Sequence, residues 1–163
     1  MSLEFLDSFK RSYHFRQKML WRGLEVLRPD EWPINNIILP IPNDWWENWL
    51  QGRENTIYNS PHYYTLVHPI DGKSAYYYWQ LSIRGIDHPR PDEWIRGMEA
   101  RLFRLRTNIS TFGYKCKCVA DRIAVMEDGL LVDGGHRLAC LAALGYTRIP
   151  VVILKERHAN HKR

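Results

Sequence analysis

The segment 130–154 constrains the fold more than any other part of this sequence. Three apolar residues, 130–132, run directly into Asp-Gly-Gly-His-Arg at 133–137. An Ala- and Leu-rich segment follows, then a glycine and a second apolar run, 149–154. This pattern predicts a buried strand, a glycine turn, a short helix over 138–144 ended by a left-handed glycine, and a final strand.

The turn itself has the composition of an anion site. Gly134 and Gly135 permit positive φ and let a ligand approach the main chain closely. The first amides of a helix have no intrahelical partner and the helix dipole favours a negative charge there, so the turn suits a phosphate. His136 and Arg137 add side-chain donors, and Asp133 could hold a divalent metal or orient His136. The alternative is structural: glycines required by turn geometry, an aspartate cap and an arginine paired with a nearby acid.

The remaining chain predicts helices with a few strands. Apolar spacing of three and four predicts an amphipathic helix over 3–22 with Leu3, Leu6, Phe9, Tyr13, Leu20 and Leu24 on one face. Further helices are predicted near 44–47, after Ser60-Pro61, over 73–83 and from Pro91. Strands are predicted within 32–42 and, from period-two alternation, over 116–125.

Composition bounds the class of protein. The chain has 163 residues, of which 45% are apolar and 25% are charged. This composition and the mixture of predicted helices and strands indicate one folded α+β (mixed α/β) domain over 1–163. Its predicted parts are a helical, aromatic-rich 1–90, a core at 91–154 and a basic tail at 155–163. The three cysteines lack metal-ligand spacing, and Cys116-x-Cys118 is taken as strand, which favours reduced thiols. With no secretory signal and no apolar run long enough to span a bilayer, we expect a cytoplasmic protein without membrane contact.

The net charge of +5 is not by itself a nucleic-acid signal. The tail supplies much of it, and we expect its His158 and His161 to be disordered. A second basic stretch, 84–122, carries nine basic and five acidic residues. A solvated face and a phosphate-facing surface both explain such a stretch.

Residues 132–154 resemble the core of the ParB/sulfiredoxin superfamily. ParB-type partition proteins carry Gly-Glu-Arg-Arg, an Ala-rich helix, a glycine and Ile-Pro-Val in the same register. Sulfiredoxins carry Gly-Gly-Cys-His-Arg, and free-serine kinases carry Asp-Gly-His-His-Arg. The residues that fall on the ParB pattern are Gly134, Gly145, Ile149, Pro150 and Val151; those that fall on the kinase pattern are Asp133, Gly134, His136 and Arg137.

Departures from these patterns select among the activities. Gly135 stands where sulfiredoxins have their nucleophilic cysteine, and Cys140 is expected in the core, so sulfinic-acid repair is not expected. The acid of the ParB motif is also replaced by Gly135, and little sequence follows Leu154, so DNA clamping of the partition type is not expected either. The resemblance implies a ParB/sulfiredoxin-like domain with a small mixed sheet, flanking helices and an N-terminal helical extension.

The kinase-like branch implies ATP and Mg²⁺ as cofactors and a small hydroxyl-bearing metabolite, a sugar or amino-acid derivative, as acceptor. Gly134, Gly135, His136 and Arg137 would bind the phosphates, and Asp133 would hold the metal. Asp133, His136 and His62 are the predicted catalytic residues. Other candidates for the proton acceptor are Glu54, Asp87 and His88.

Aromatic residues are dense in the N-terminal part, including Trp45, Trp46, Trp49 and clustered tyrosines. They predict core packing more than a stacking platform for sugars or bases, and a homodimer contact is possible for such a cluster. The alternatives to a kinase are a non-catalytic nucleotide-binding module that recognises ATP or CTP, and a ParB-like DNA-binding or nuclease protein using 84–122 and the tail.

Overall fold

The protein is described by a computed structural model over residues 3–68, 71–85 and 87–157. Within these ranges four strands form one mixed sheet: β1 Leu24–Pro33, β2 Ile123–Met126, β3 Leu131–Asp133 and β4 Arg148–Glu156. The strand order is β1-β4-β2-β3, with β2 parallel to β4 and the other two pairs antiparallel. The predicted α+β class with a small mixed sheet is confirmed.

The helices surround this sheet. They are α1 Leu3–Trp21, α2 Asp44–Leu50, α3 Pro61–Val67, α4 Ala75–Gln80, α5 Pro91–Phe112 and α6 Gly135–Ala143. A π-helical turn, Leu81–Gly85, extends α4, and 3₁₀ turns occupy Ile34–Asn36, Ile57–Asn59 and Val119–Asp121. In the described part of the chain, none of the helices combines the length and apolar character needed to cross a membrane.

Alternation along the central strand β4 divides the core. Ile149, Val151 and Ile153 are buried in the larger cluster, which also takes in residues of α2–α6. Val152 and Leu154 are buried in a smaller cluster with Phe15 and Met19 of α1. Because successive side chains of a strand point to opposite faces, one short apolar run supplies both cores.

The strand predicted within 32–42 is wrong in position. The sheet instead uses β1, Leu24–Pro33, and the chain then turns through the 3₁₀ segment Ile34–Asn36. β1 pairs with β4 at the edge of the sheet, the position where a strand tolerates prolines such as Pro29 and Pro33. Ile38 makes isolated bridges to Thr56 and Leu130.

The strand predicted to start at Cys116 is also wrong. One carboxylate oxygen of Asp121 accepts hydrogen bonds from the amides of Lys117 and Cys118 at 2.9 and 3.1 Å. These bonds hold the chain in a compact turn and the 3₁₀ segment Val119–Asp121, so the strand starts only at Ile123. An aspartate that binds nearby backbone amides competes with strand pairing, and this explains the error.

The face of α1 that meets the core differs from the predicted one. Phe9 and Tyr13 are 63% and 54% exposed, whereas Phe15 and Met19 are buried, and Leu24 belongs to β1. The first residues of the predicted tail, Lys155 and Glu156, continue β4. The predicted disorder of His158 and His161 lies outside the described residues.

Candidate functional site: a cavity at the start of α6

A cavity of about 610 Å³ opens beside the first turn of α6. The whole segment 133–137 and His62 line it, so the residues predicted to be catalytic or to bind phosphate lie at one cavity. The rest of the lining is apolar or aromatic and consists of Leu39, Pro40, Pro42, Trp46, Ile57, Trp79, Leu105 and Leu131. Small-molecule sites commonly have about 300–1,000 Å³ and this mixed character.

The two glycines of the turn have different roles. Gly134 has φ +98°, and a Cβ there would meet Ile123 Cδ1 at 3.0 Å and the Arg137 guanidinium at 3.2 Å. Turn geometry therefore requires glycine at 134. A Cβ at Gly135 would meet only Leu131 Cδ2, at an ordinary 3.6 Å, and neither space nor φ demands glycine there. Glycine at 135 means that the first residue of α6 has no side chain beside the backbone amides of this turn.

The first turn of α6 presents free amides. The first amide within the helix ladder is that of Leu138, which donates to the Gly134 carbonyl at 2.9 Å. No side chain caps the helix at Gly134. The amides of 135–137 therefore have no intrahelical partner, and the dipole of this nine-residue helix makes its cavity end favourable for an anion.

Arg137 is fixed at the edge of the same turn. Its Nη1 donates to the carbonyl of Ala120 at 2.9 Å, and the side chain is half-buried. This bond leaves other guanidinium donors near Gly134 while holding the charge beside the free amides. The partner of this bond is a backbone carbonyl and not the acid that the structural alternative expected.

Asp133 ends β3 at the cavity wall and is the only carboxylate that lines it among the described residues. Its Oδ2 lies 3.3 Å from Nζ of Lys18 on α1. Over the described ranges, no group of three or more His, Cys, Asp or Glu side chains forms a metal cluster. Mg²⁺ often takes one or two carboxylates together with substrate phosphates, so a single aspartate is compatible with it.

His62 and His136 meet in the cavity, although 74 positions separate them in the sequence. Their ring centroids are 5.1 Å apart, and His136 Nε2 lies 2.9 Å from the hydroxyl of Tyr76. Burial, followed by the nearby charge of His136, holds the pKa of His62 well below its usual 6.5. Burial also lowers the pKa of His136, against the opposing effect of Asp133. Both imidazoles are therefore neutral near pH 7.

His62 is the best placed of the candidate proton acceptors. It is 7% exposed, and its buried Nδ1 finds no hydrogen-bond partner in the described part of the chain. Glu54, Asp87 and His88 do not line the cavity. His88 instead stacks on Trp94, with centroids 5.2 Å apart.

Three aromatic residues near the site were not predicted as functional. Tyr76 contacts His136, and Trp46 and Trp79 pack around His62, with the His62 and Trp79 centroids 4.4 Å apart. Trp79 Nε1 is also buried without a partner among the described residues. The aromatic density of the N-terminal part was the only available signal, and it does not distinguish these rings from Trp45 and Trp49, which stack on each other outside the cavity.

Cys140 lies on the core side of α6 and not in the cavity. It is fully buried, and its Sγ lies 3.6 Å from the carbonyl of Leu102. Burial raises the pKa of its thiol to about 12, so the reactive thiolate is disfavoured. The expectation of a core cysteine is confirmed.

Comparisons with known proteins concern the fold. No protein-family model and no curated protein matches this chain. Among solved structures, the chain is similar to a Pnob8-like ParB-N domain, with a TM-score of 0.38 and 11% sequence identity. The alignment covers 81% of this chain and 31% of that one.

Proposed function

We propose that the cavity binds ATP and transfers its terminal phosphoryl group to a small hydroxyl-bearing metabolite. The observation that carries this proposal is the meeting of two unlike groups in one cavity. The bare first turn of α6 suits a phosphate, and the neutral His62 suits a proton acceptor. Phosphoryl transfer needs mainly positioning and stabilisation of charge, which such a pair can supply.

In the proposed reaction, the amides of 135–137 and the Arg137 guanidinium bind the phosphate oxygens. His62 accepts the proton of the acceptor hydroxyl as that oxygen bonds to phosphorus and ADP leaves. Tyr76 holds the ring of His136 in place at the same turn through the 2.9 Å contact. Asp133 would hold Mg²⁺, which, when bound, supplies positive charge for the phosphates.

The test is ADP formation in the presence of ATP, Mg²⁺ and an acceptor, with glucose, serine and benzyl alcohol as probes. We expect turnover that depends on one acceptor class and falls by about 10²–10⁴ in His62→Phe, because a positioned proton acceptor contributes that much. Asp133→Asn should raise the Mg²⁺ concentration that is needed for half-maximal ADP formation. Turnover that is unchanged in both variants, or absent with every hydroxyl compound, would refute the proposal.

A second candidate is a module that binds ATP or CTP without turnover. It is favoured by Asp133, the one carboxylate that the described residues contribute to the cavity, whose Oδ2 already has Lys18 as a partner at 3.3 Å. This candidate predicts calorimetric binding of ATP or CTP and no ADP or CDP release with any acceptor.

A further inference from the structure

The surroundings of His62 indicate what kind of molecule it meets. If His62 accepts the acceptor's proton, the acceptor hydroxyl must come within hydrogen-bond distance of its ring. That ring is packed among Trp46, Tyr76 and Trp79, with centroids 5.9, 5.1 and 4.4 Å away. The body of the acceptor must therefore lie at the aromatic end of the cavity.

Charged partners are scarce in this lining. Of the described residues around the cavity, Asp133 and Arg137 alone carry a full charge, and both belong to the turn before and within α6. Lys18 and the Ala120 carbonyl already contact them. The lining is otherwise apolar or aromatic, with side chains such as Leu39, Ile57 and Leu105. An ammonium, a carboxylate or several sugar hydroxyls placed there would lose water without gaining partners, at a cost in affinity.

One polar group does fit this end. His62 Nδ1 and Trp79 Nε1 are both buried and have no partner among the residues described, and Trp79 can only donate. A hydroxyl is a donor and an acceptor at once, so it can pair with the imidazole of His62 in either tautomer. A purine would bring four or more polar edge atoms to the same surface.

We infer that the phosphoryl acceptor is an uncharged alcohol with an apolar or aromatic body, bound among Trp46, His62 and Trp79. This inference rests on the proposed function for the role of the alcohol, and it replaces a sugar or amino acid with a different substrate class. It also assigns the aromatic end of the cavity to the acceptor and not to the nucleotide base.

The test is an NMR titration of the nucleotide-free protein, observed at the indole N–H of Trp79. This signal is assigned as the one that disappears in Trp79→Phe. The probes are benzyl alcohol, toluene, benzylamine and benzoate, which share a ring and differ in the head group. We expect benzyl alcohol to shift the signal saturably and to bind about tenfold more tightly than the other three.

Two tryptophan variants distinguish binding in the cavity from binding elsewhere on the protein. Trp79→Leu should weaken the binding of benzyl alcohol about tenfold or more. Trp45→Leu alters a tryptophan outside the cavity and should leave the affinity for benzyl alcohol unchanged. Equal or tighter binding of a charged probe would overturn the inference, as would displacement of benzyl alcohol by adenosine. If a variant does not fold, the titration of the native chain still decides. Selective alcohol binding without ADP formation would uphold the aromatic subsite and refute the phosphotransferase.

Discussion

Adjacent glycines in the α6 turn illustrate how one residue type serves two purposes. At Gly134 the positive φ and the close Ile123 and Arg137 side chains leave room for glycine alone. At Gly135 a Cβ would make only an ordinary contact, and no side chain caps the start of the helix. The sequence places both glycines in the turn, but only the coordinates show that the backbone conformation requires glycine at 134 and not at 135.

The depressed pKa of His62 predicts a pH-dependent stability. The folded protein keeps this histidine neutral, whereas the unfolded chain protonates it near pH 6.5. Its contribution is fully present above pH 6.5 and is lost as the pH falls below that value. The slope is up to ~1.4 kcal/mol per pH unit, because only the unfolded state gains a proton in this window.

Urea unfolding at pH 7.5, 6.5 and 5.5 measures this effect. The free energy of unfolding should fall between pH 6.5 and 5.5 in the native chain and fall less in His62→Phe, which lacks the ionisable ring. The pKa of His136 is also lowered, so His136 contributes to the pH dependence of stability in both proteins. Parallel pH profiles of the two proteins would show that His62 is not buried in its neutral form.

Among the elements, those with strong local signals were predicted best. The strand, glycine turn, helix and strand around α6 follow from apolar runs and glycine positions, and the structure has them with bounds shifted by a few residues. Ser60-Pro61 likewise predicts the start of α3, where the Ser60 side chain accepts from the amide of Tyr63 at 3.1 Å.

Elements that depend on distant partners were missed. β1 contains two prolines and exists because β4 pairs with it across more than a hundred residues. The charged alternation after Cys116 is overridden by Asp121, whose carboxylate binds the local amides. Neither outcome can be predicted from local periodicity, because the deciding interaction is tertiary in the first and a specific side-chain contact in the second.

The cap of α3 positions His62 and should matter for stability. Ser60 is completely buried, and its hydroxyl also donates to the carbonyl of Ile57 at 2.6 Å. Ser60→Ala should lower the free energy of unfolding by about 1–2 kcal/mol, because the amide of Tyr63 and the Ile57 carbonyl lose their partner.

Chemical denaturation measures this loss, with Ser110→Ala on the exposed side of α5 as the matched control. The control should stay within about 0.5 kcal/mol of the native chain. A loss of similar size in both variants would mean that the cap does not stabilise α3.

At the level of the molecule, the fold brings two distant regions of sequence to one cavity. The composition of the turn at 133–137 predicts an anion site, and this stays a prediction. The sequence also names His62 and His136 as catalytic residues, but the contact between them depends on how α3 and α4 pack against α6. For the same reason, the aromatic residues could be predicted only as a class, and the structure separates Trp46 and Trp79 at the cavity from Trp45 and Trp49 outside it.

The central claim, that the first turn of α6 binds phosphate, is tested most directly by calorimetric titration of ATP with Mg²⁺ into the native chain, Gly135→Asp and Gly135→Asn. A Cβ at position 135 makes only an ordinary contact, and an acid at a helix start favours the fold by about 0.3–1 kcal/mol, so Gly135→Asp should unfold no more easily. The carboxylate of the new aspartate should nevertheless repel the phosphates and weaken ATP binding at least tenfold relative to Gly135→Asn, whose side chain has the same shape without the charge. Equal ATP affinity in these two folded variants, or no ATP binding by the native chain, would contradict the account.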